Sequence, residues 1–156
     1  MIKIYTDGSS IGNPGPGGYG IVMLYKNNRK EISGGFRKTT NNRMELLAVI
    51  KALESLKNNK IEVLIFSDSK YVVQSVEEGW LWEWEKKKFK KKSNVDLWKQ
   101  FIPLYKKFKI KFQWVKGHDG ISENERCDEL ANNAVLKKNL KIDSGYERLH
   151  NSKELF

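Results

Sequence analysis

The sequence predicts an α/β fold, a mixed β-sheet with helices on both faces, and three observations carry that expectation. Residues 2–38 read as three strands in antiparallel succession. From residue 41 the apolar positions switch to the period of a helix. Residues 61–66 then form a short apolar run of the kind that fills a central strand covered on both faces. The order βββαβα, helical insertion, βα implies a mixed sheet between two helical layers.

Residues 2–6 alternate, with Ile2, Ile4 and Thr6 on one face. The turn-forming stretch Gly12-Asn13-Pro14-Gly15-Pro16-Gly17-Gly18 separates them from a second strand at 19–25. Lys26-Asn27-Asn28-Arg29 reads as a hairpin turn into a third strand at about 30–38. Leu46, Val49, Ile50, Leu53 and Leu56 follow helical spacing from Thr40 or Asn41, and Lys57-Asn58-Asn59-Lys60 ends that helix. After the 61–66 strand, interrupted only by Glu62, a short helix covers 71–76. Residues 94–108 repeat the helical pattern with Trp98, Phe101, Ile102 and Tyr105, and Pro103 is expected to kink or divide it. Residues 110–115 alternate as a last strand, with Trp98 and Trp114 expected in the core. Ser122 and Glu125 read as a capping box for a final helix continued by Cys127, Leu130, Ala131, Ala134 and Val135. Beyond about Lys138 the pattern fades. The expectation is one domain over 1–138 and a polar C-terminal tail over 139–156.

A chain of 156 residues with 39% hydrophobic content, five Trp, six Tyr and seven Phe fits one domain with a real core. A formal charge of +10 and a pI near 9.6 favour polyanionic partners, nucleic acid first. Cys127 is the only cysteine, which excludes an intrachain disulfide. No apolar run reaches the length of a membrane span, and strand-like sequence begins at Met1. The expectation is a cytoplasmic monomer, not membrane-associated, with Met1 as a true start.

Four acidic residues stand where the elements converge. Asp7 lies in the opening strand, Glu45 in the first turns of the long helix, Asp68 just past the apolar strand and Asp128 early in the last helix. Gathered carboxylates repel one another and are costly to desolvate, so folds that collect them do so around hard cations such as Mg²⁺. That points to metal-assisted phosphoryl transfer. Taken singly, Asp68 reads as an N-cap near Ser69, and Glu45 and Asp128 as partners of helix dipoles. Those readings do not explain why four elements should meet. The glycine-rich stretch is not a nucleotide phosphate loop, because it lacks Lys-Ser or Lys-Thr and no helix follows it.

Four blocks carry a resemblance. Tyr5-Thr6-Asp7-Gly8-Ser9, then Thr39-Thr40-Asn41-Asn42-Arg43-Met44-Glu45-Leu46, then Ser67-Asp68-Ser69, then Trp114-Val115-Lys116-Gly117-His118 with Asn124-Glu125-Arg126-Cys127-Asp128 resemble type I ribonuclease H, in order from about Ile2 to Lys138. The resemblance implies a five-stranded mixed sheet in the order 3-2-1-4-5 and hydrolysis of the RNA strand of RNA–DNA hybrids by two Mg²⁺ ions, with Mn²⁺ a substitute. It implies 3′-hydroxyl and 5′-phosphate ends. The family's metal-binding carboxylates fall on Asp7, Glu45, Asp68 and Asp128, with Asp7 and Asp68 shared between both ions. Its mobile histidine falls on His118, between glycines that permit motion, and imidazole suits proton transfer near neutrality. Glu45 is also expected to touch a ribose hydroxyl.

Substrate contacts implied by the resemblance fall on Asn13, Thr40 and Asn41. Residues Trp80-Leu81-Trp82-Glu83-Trp84-Glu85 and the run Lys86-Lys87-Lys88-Phe89-Lys90-Lys91-Lys92 resemble the family's basic protrusion, placed at about 80–98. Trp80, Trp84, Lys86, Lys87 and Lys88 are its expected gripping residues. Lys70 stands where many members carry Gln, which makes that contact charged. Two other functions, a hybrid-binding module without turnover and a related DNA strand-transfer enzyme, fit less well. The first leaves the five matched site residues unexplained, and the second lacks the block from Asn124 to Asp128.

Overall fold

The strands β1 (Ile2–Ser10), β2 (Gly15–Tyr25) and β3 (Asn28–Thr39) form the expected antiparallel meander. The computed structural model describes residues 1–154, and side chains as far as His150. The strands β4 (Glu62–Ser67) and β5 (Lys109–Trp114) run parallel to β1, giving one five-stranded sheet in the order β3-β2-β1-β4-β5. Tyr25 pairs with Asn28, so the hairpin loop is only Lys26 and Asn27, and β3 starts earlier than its apolar pattern implies.

Among the described residues there are six helices, in chain order α1 (Asn41–Glu54), α2 (Lys70–Glu77), α3 (Trp80–Lys86), α4 (Val95–Lys107), α5 (Ser122–Val135) and α6 (Ser144–Glu154). α1 starts where its cap does, with the Thr40 hydroxyl accepting from the Arg43 amide at 3.3 Å. Two glycines show that α1 and α5 lie on opposite faces. A Cβ on Gly8 would strike the α1 backbone at Met44 and Glu45, whereas one on Gly20 would strike α5 at Cys127. Gly20 is paired with Asp7, the neighbour of Gly8, and neighbours in a strand point to opposite faces. The α1 side holds the main core of Ile4, Ile21, Leu46, Ile50, Ile65, Leu81, Trp98 and Phe101, all fully buried. The α5 side is thin, its small residues Cys127, Ala131 and Ala134 seated close on β2.

Several expectations need correction. Pro103 lies inside α4 without dividing it. Both Pro103 and Lys99, whose carbonyl loses its amide partner, are exposed, so solvent can satisfy that group. Ser122 is the first residue of α5 and not its cap. Ile121 occupies the cap position with no side-chain bond, so the expected capping box does not form. Trp98 is buried as expected, but Trp114 is 39% exposed and lies at the edge of the sheet's carboxyl end, not in the core.

The segment read as a polar tail is folded as far as it is described; Leu155 and Phe156 lie outside the described residues. Lys141 pairs with the edge of β3, accepting from the Arg37 amide at 2.9 Å and donating to Gly35 at 3.1 Å. Such pairing covers an otherwise open sheet edge. Asp143 is buried, accepts from Thr39 Oγ1 at 2.7 Å and from the Tyr146 amide at 3.2 Å, and so caps α6. Arg37 grips Glu147 with three hydrogen bonds of 2.8–3.2 Å. Polar bonds hold this segment, which is why no hydrophobic periodicity announced it.

Candidate active site

The parallel pairing of β1 with β4 brings the first two carboxylates together. Tyr5 is opposite Phe66, their rings stacked at 4.5 Å, so Asp7 and Asp68 fall side by side just past the paired stretch of β1 and β4, at the carboxyl end of β4. Ligands of open α/β sheets gather at that edge. Glu45 reaches the same point from α1, because Gly8 has no side chain to hold the helix away and donates its amide to Glu45 Oε1. Carboxylate oxygens of Asp7, Glu45 and Asp68 all lie within 4.8 Å of one another. Asp68 is free for this role because Ser69, not Asp68, caps α2, its hydroxyl accepting from the Val72 amide at 3.2 Å.

Asp128 and His118 line the same open cleft, of about 380 Å³, with Asn41 and Lys70 at its rim. Asp128 stands near enough to Asp7 for its charge to be felt there, although it is outside the tight trio. His118 is exposed and in the left-handed region, φ 57°, in the loop between β5 and α5.

The electrostatics are those of an uncompensated acidic cluster. Burial pushes the Asp7 carboxyl up to about 7; a hydrogen bond with Glu45 works the other way, and the charges of Asp68 and Asp128 add to the rise. Burial, then the neighbouring Asp7 charge, raises Glu45 as well. Among the described residues no Lys or Arg forms an ion pair with any of the three. Glu45 Oε2 is buried without a hydrogen-bond partner. A hard divalent cation, which takes oxygen ligands, fits both the donor set and this orphaned oxygen.

The substrate-side expectations separate into two groups. Asn13, Thr40 and Asn41 do sit by the site. Asn13 Oδ1 accepts from the Asn41 amide at 3.1 Å, and Asn41 Oδ1 accepts from the Ser10 amide at 2.6 Å, which ties the glycine-rich loop to the start of α1. Asn13 and Thr40 line a second groove of about 750 Å³ that shares Asn42 with the carboxylate cleft. Trp80, Trp84, Lys86, Lys87 and Lys88 line neither hollow. Trp80 is 46% exposed, whereas Trp84 packs edge-on against Trp98 at 5.9 Å. Lys86 is paired with Glu83 at 3.4 Å. The lysine run is an anchored turn and not a loose loop, because Phe89 is buried within it and Lys92 stands 5.0 Å over the Trp84 ring.

Residues the sequence reading passed over also border the site: Lys92 and Asn94 in the second groove, Tyr71 in the cleft, and Trp114 beside Asp68. For Trp114 the available signal was register, since the last residue of β5 falls opposite Ser67 at the end of β4.

Comparison with known proteins gives one consistent family. The RNase H family model matches residues 1–136. A ribonuclease H of Desulforamulus reducens is 53% identical over 147 residues, 91% of this chain and 92% of that protein. One from Shewanella amazonensis is 54% identical over 152 residues, 94% of this chain and 96% of that one. Among solved structures, LC9-RNase H1, described as a type 1 RNase H with the type 2 active-site motif, superposes with a TM-score of 0.80 at 30% identity, covering 95% of this chain and 79% of that one. LC11-RNase H1, solved in complex with an RNA/DNA hybrid, gives 0.68 at 29% identity over 86% of this chain and 96% of its own.

Proposed function

Because this chain belongs to the ribonuclease H family, we propose that it is an endonuclease that hydrolyses the RNA strand of RNA–DNA hybrids by a two-metal-ion mechanism. The products carry 3′-hydroxyl and 5′-phosphate ends. The observation that carries this reading is the trio Asp7, Glu45 and Asp68, three carboxylates within 4.8 Å and without a cationic partner among the described residues.

Asp7, Glu45, Asp68 and Asp128 would hold the ions, Mg²⁺ with Mn²⁺ as a substitute. When bound, these supply Lewis-acid stabilisation of the phosphoryl oxygens and an activated water for in-line displacement. His118, exposed at the mouth of the cleft, exchanges a proton with the attacking or departing oxygen through its imidazole. Asn13, Thr40 and Asn41 position the nucleic-acid backbone where the two grooves meet, and Lys70 adds a charge at the rim. Trp80, Trp84 and the lysine turn, including Lys86, Lys87 and Lys88, extend the contact as a basic ridge outside the cleft. The net charge of +10 favours such a polyanion.

The test is incubation with labelled RNA–DNA hybrid, double-stranded RNA and double-stranded DNA, each with Mg²⁺ and with a chelator. Cutting of the hybrid's RNA strand alone, only with metal, and leaving ends that a polymerase extends directly, is the expected outcome. Metal-independent cutting, or equal cutting of double-stranded RNA, would refute the proposal.

A further inference from the structure

Trp114 ends β5 opposite Ser67, the last residue of β4, which puts its indole beside the turn into Asp68. Its Nε1–H donates to the Asp68 main-chain carbonyl oxygen at 3.1 Å. The Lys70 ammonium stands 5.2 Å from the centroid of the same ring. On the carboxylate side of Asp68, a Cβ added to Gly117 would lie 2.8 Å from Oδ2, so the loop that carries His118 runs directly against that oxygen. Asp68 is therefore held at its carbonyl by the end of β5 and flanked at its carboxylate by the loop that continues from it. Core packing does not account for this, because Trp114 is 39% exposed where it bonds Asp68, a residue that lines the open cleft. A large aromatic with one bonded polar edge and one free face is suited to orienting its neighbours.

Resting on the reading of this cleft as a hybrid nuclease, we propose that Trp114 is a positioning residue: its N–H sets the direction of Asp68, and its ring seats Lys70 as a cationic contact for a substrate phosphate. The Ser67 carbonyl is already held by the Val115 amide at 2.9 Å, so fixing the Asp68 carbonyl restrains both peptide planes that flank the Asp68 Cα, and with them the Cα–Cβ direction from which the carboxylate starts. Small errors there are expensive, since a misplacement of about 1 Å can cost about 10²-fold in rate. The ring face restricts the otherwise free Lys70 chain while leaving its N–H groups open to an anion. The residue thus couples metal placement to substrate placement through its two different faces.

The experiment compares Trp114→Phe, Trp114→Ala and Lys70→Gln. Phenylalanine removes the N–H donor and keeps an aromatic face. For Trp114→Phe the expected result is a fall in kcat on hybrid of about 10-fold, the rate equivalent of one lost hydrogen bond, with KM little changed. The Mg²⁺ concentration at the midpoint of the metal-induced Tm rise should increase in the same variant without substrate, a readout independent of turnover. Trp114→Ala should in addition reduce the slope of log KM against log salt by about 0.9 as Lys70 is released. Lys70→Gln should give that slope change alone, and combining it with Trp114→Ala should add nothing to it. Wild-type kcat with a wild-type metal midpoint in Trp114→Phe would overturn the proposal. A lower metal-free Tm with kcat and midpoint both unchanged would also overturn it, leaving Trp114 a structural residue. Failure of the unaltered protein to cut hybrid would count against the nuclease reading, and the metal midpoint of Trp114→Phe would still decide whether this ring places Asp68.

Discussion

Arg43 donates to both carboxylate oxygens of Asp143, Nε to Oδ2 at 2.8 Å and Nη2 to Oδ1 at 2.9 Å, across 100 residues of sequence. The same guanidinium makes two further bonds of 2.8 Å to Asp96 at the start of α4. One side chain therefore joins the N-terminal turn of α1, the approach to the lysine turn and the C-terminal segment. Arg43 is 5% exposed and Asp143 9%, so removing the aspartate takes two bonds from a buried guanidinium and leaves only the more exposed Asp96 to balance its charge. Asp143→Ala should cost about 3–5 kcal/mol in urea unfolding. Asp96 is 41% exposed, so water can replace it, and Asp96→Ala should cost only about 1 kcal/mol. Equal costs for the two would contradict the burial argument.

Stability of the metal-free protein should fall with rising pH around neutrality. Asp7 has an ordinary value of 3.8 and is pushed up to about 7 in the fold, chiefly by burial. Between those values the native chain holds a proton that the unfolded chain has released, so folding is favoured by acid there and the penalty is complete above about pH 7. Its size is on the order of 4 kcal/mol. Glu45 shifts in the same direction. Glu31, lowered to about 2 by hydrogen bonds from Arg126 and Arg29, contributes fully above about pH 4.5 and loses that contribution only as pH falls from there towards about 2. In chelator, Tm should be higher at pH 5 than at pH 8, and Asp7→Asn should remove much of the difference. A Tm that rises from pH 5 to pH 8 would contradict the sign.

Lys87, Lys88 and Lys91 are exposed and outside the Lys86–Glu83 pair, so they are the lysines to neutralise together. If all three meet phosphates, replacement by Gln should flatten the slope of log K against log salt by up to about 2.7, at about 0.9 per contact. KM should rise more than kcat falls, because none of the three lines the carboxylate cleft. An unchanged salt slope would leave the turn as a solvated feature.

His118→Ala should slow turnover by roughly 10²–10⁴-fold while leaving the metal-induced Tm rise in place, if proton transfer belongs to His118 and metal binding to the carboxylates as proposed. Single-turnover rates and Mg²⁺ titration of the same variant separate the two effects. Loss of the Tm rise would make His118 a contributor to the metal site.

What the sequence made legible follows from how each feature is encoded. Asp7, Glu45 and Asp68 were readable because each sits at a fixed offset from an element with strong periodicity, and parallel pairing of β1 with β4 does the rest. Trp114 was misread because alternation tells which face a residue takes but not whether the strand's end is covered. The C-terminal segment was missed for a different reason. Its anchors are Asp143 to Arg43, Glu147 to Arg37 and Lys141 to β3, all long-range polar contacts, with Tyr146 as its buried aromatic. The Ser122 to Glu125 motif misled because a cap depends on the backbone of one residue, and Ser122 is already helical.

The most direct measurement is single-turnover cleavage of a labelled RNA–DNA hybrid by Asp68→Asn beside the unaltered protein, with hybrid affinity measured on both. Asparagine keeps the shape of the side chain and removes the charge that completes the trio with Asp7 and Glu45. The expected result is near-complete loss of Mg²⁺-dependent cleavage, with hybrid still bound through the basic surface. Cleavage at the rate of the unaltered protein by the pure variant would contradict the metal-binding role of the trio.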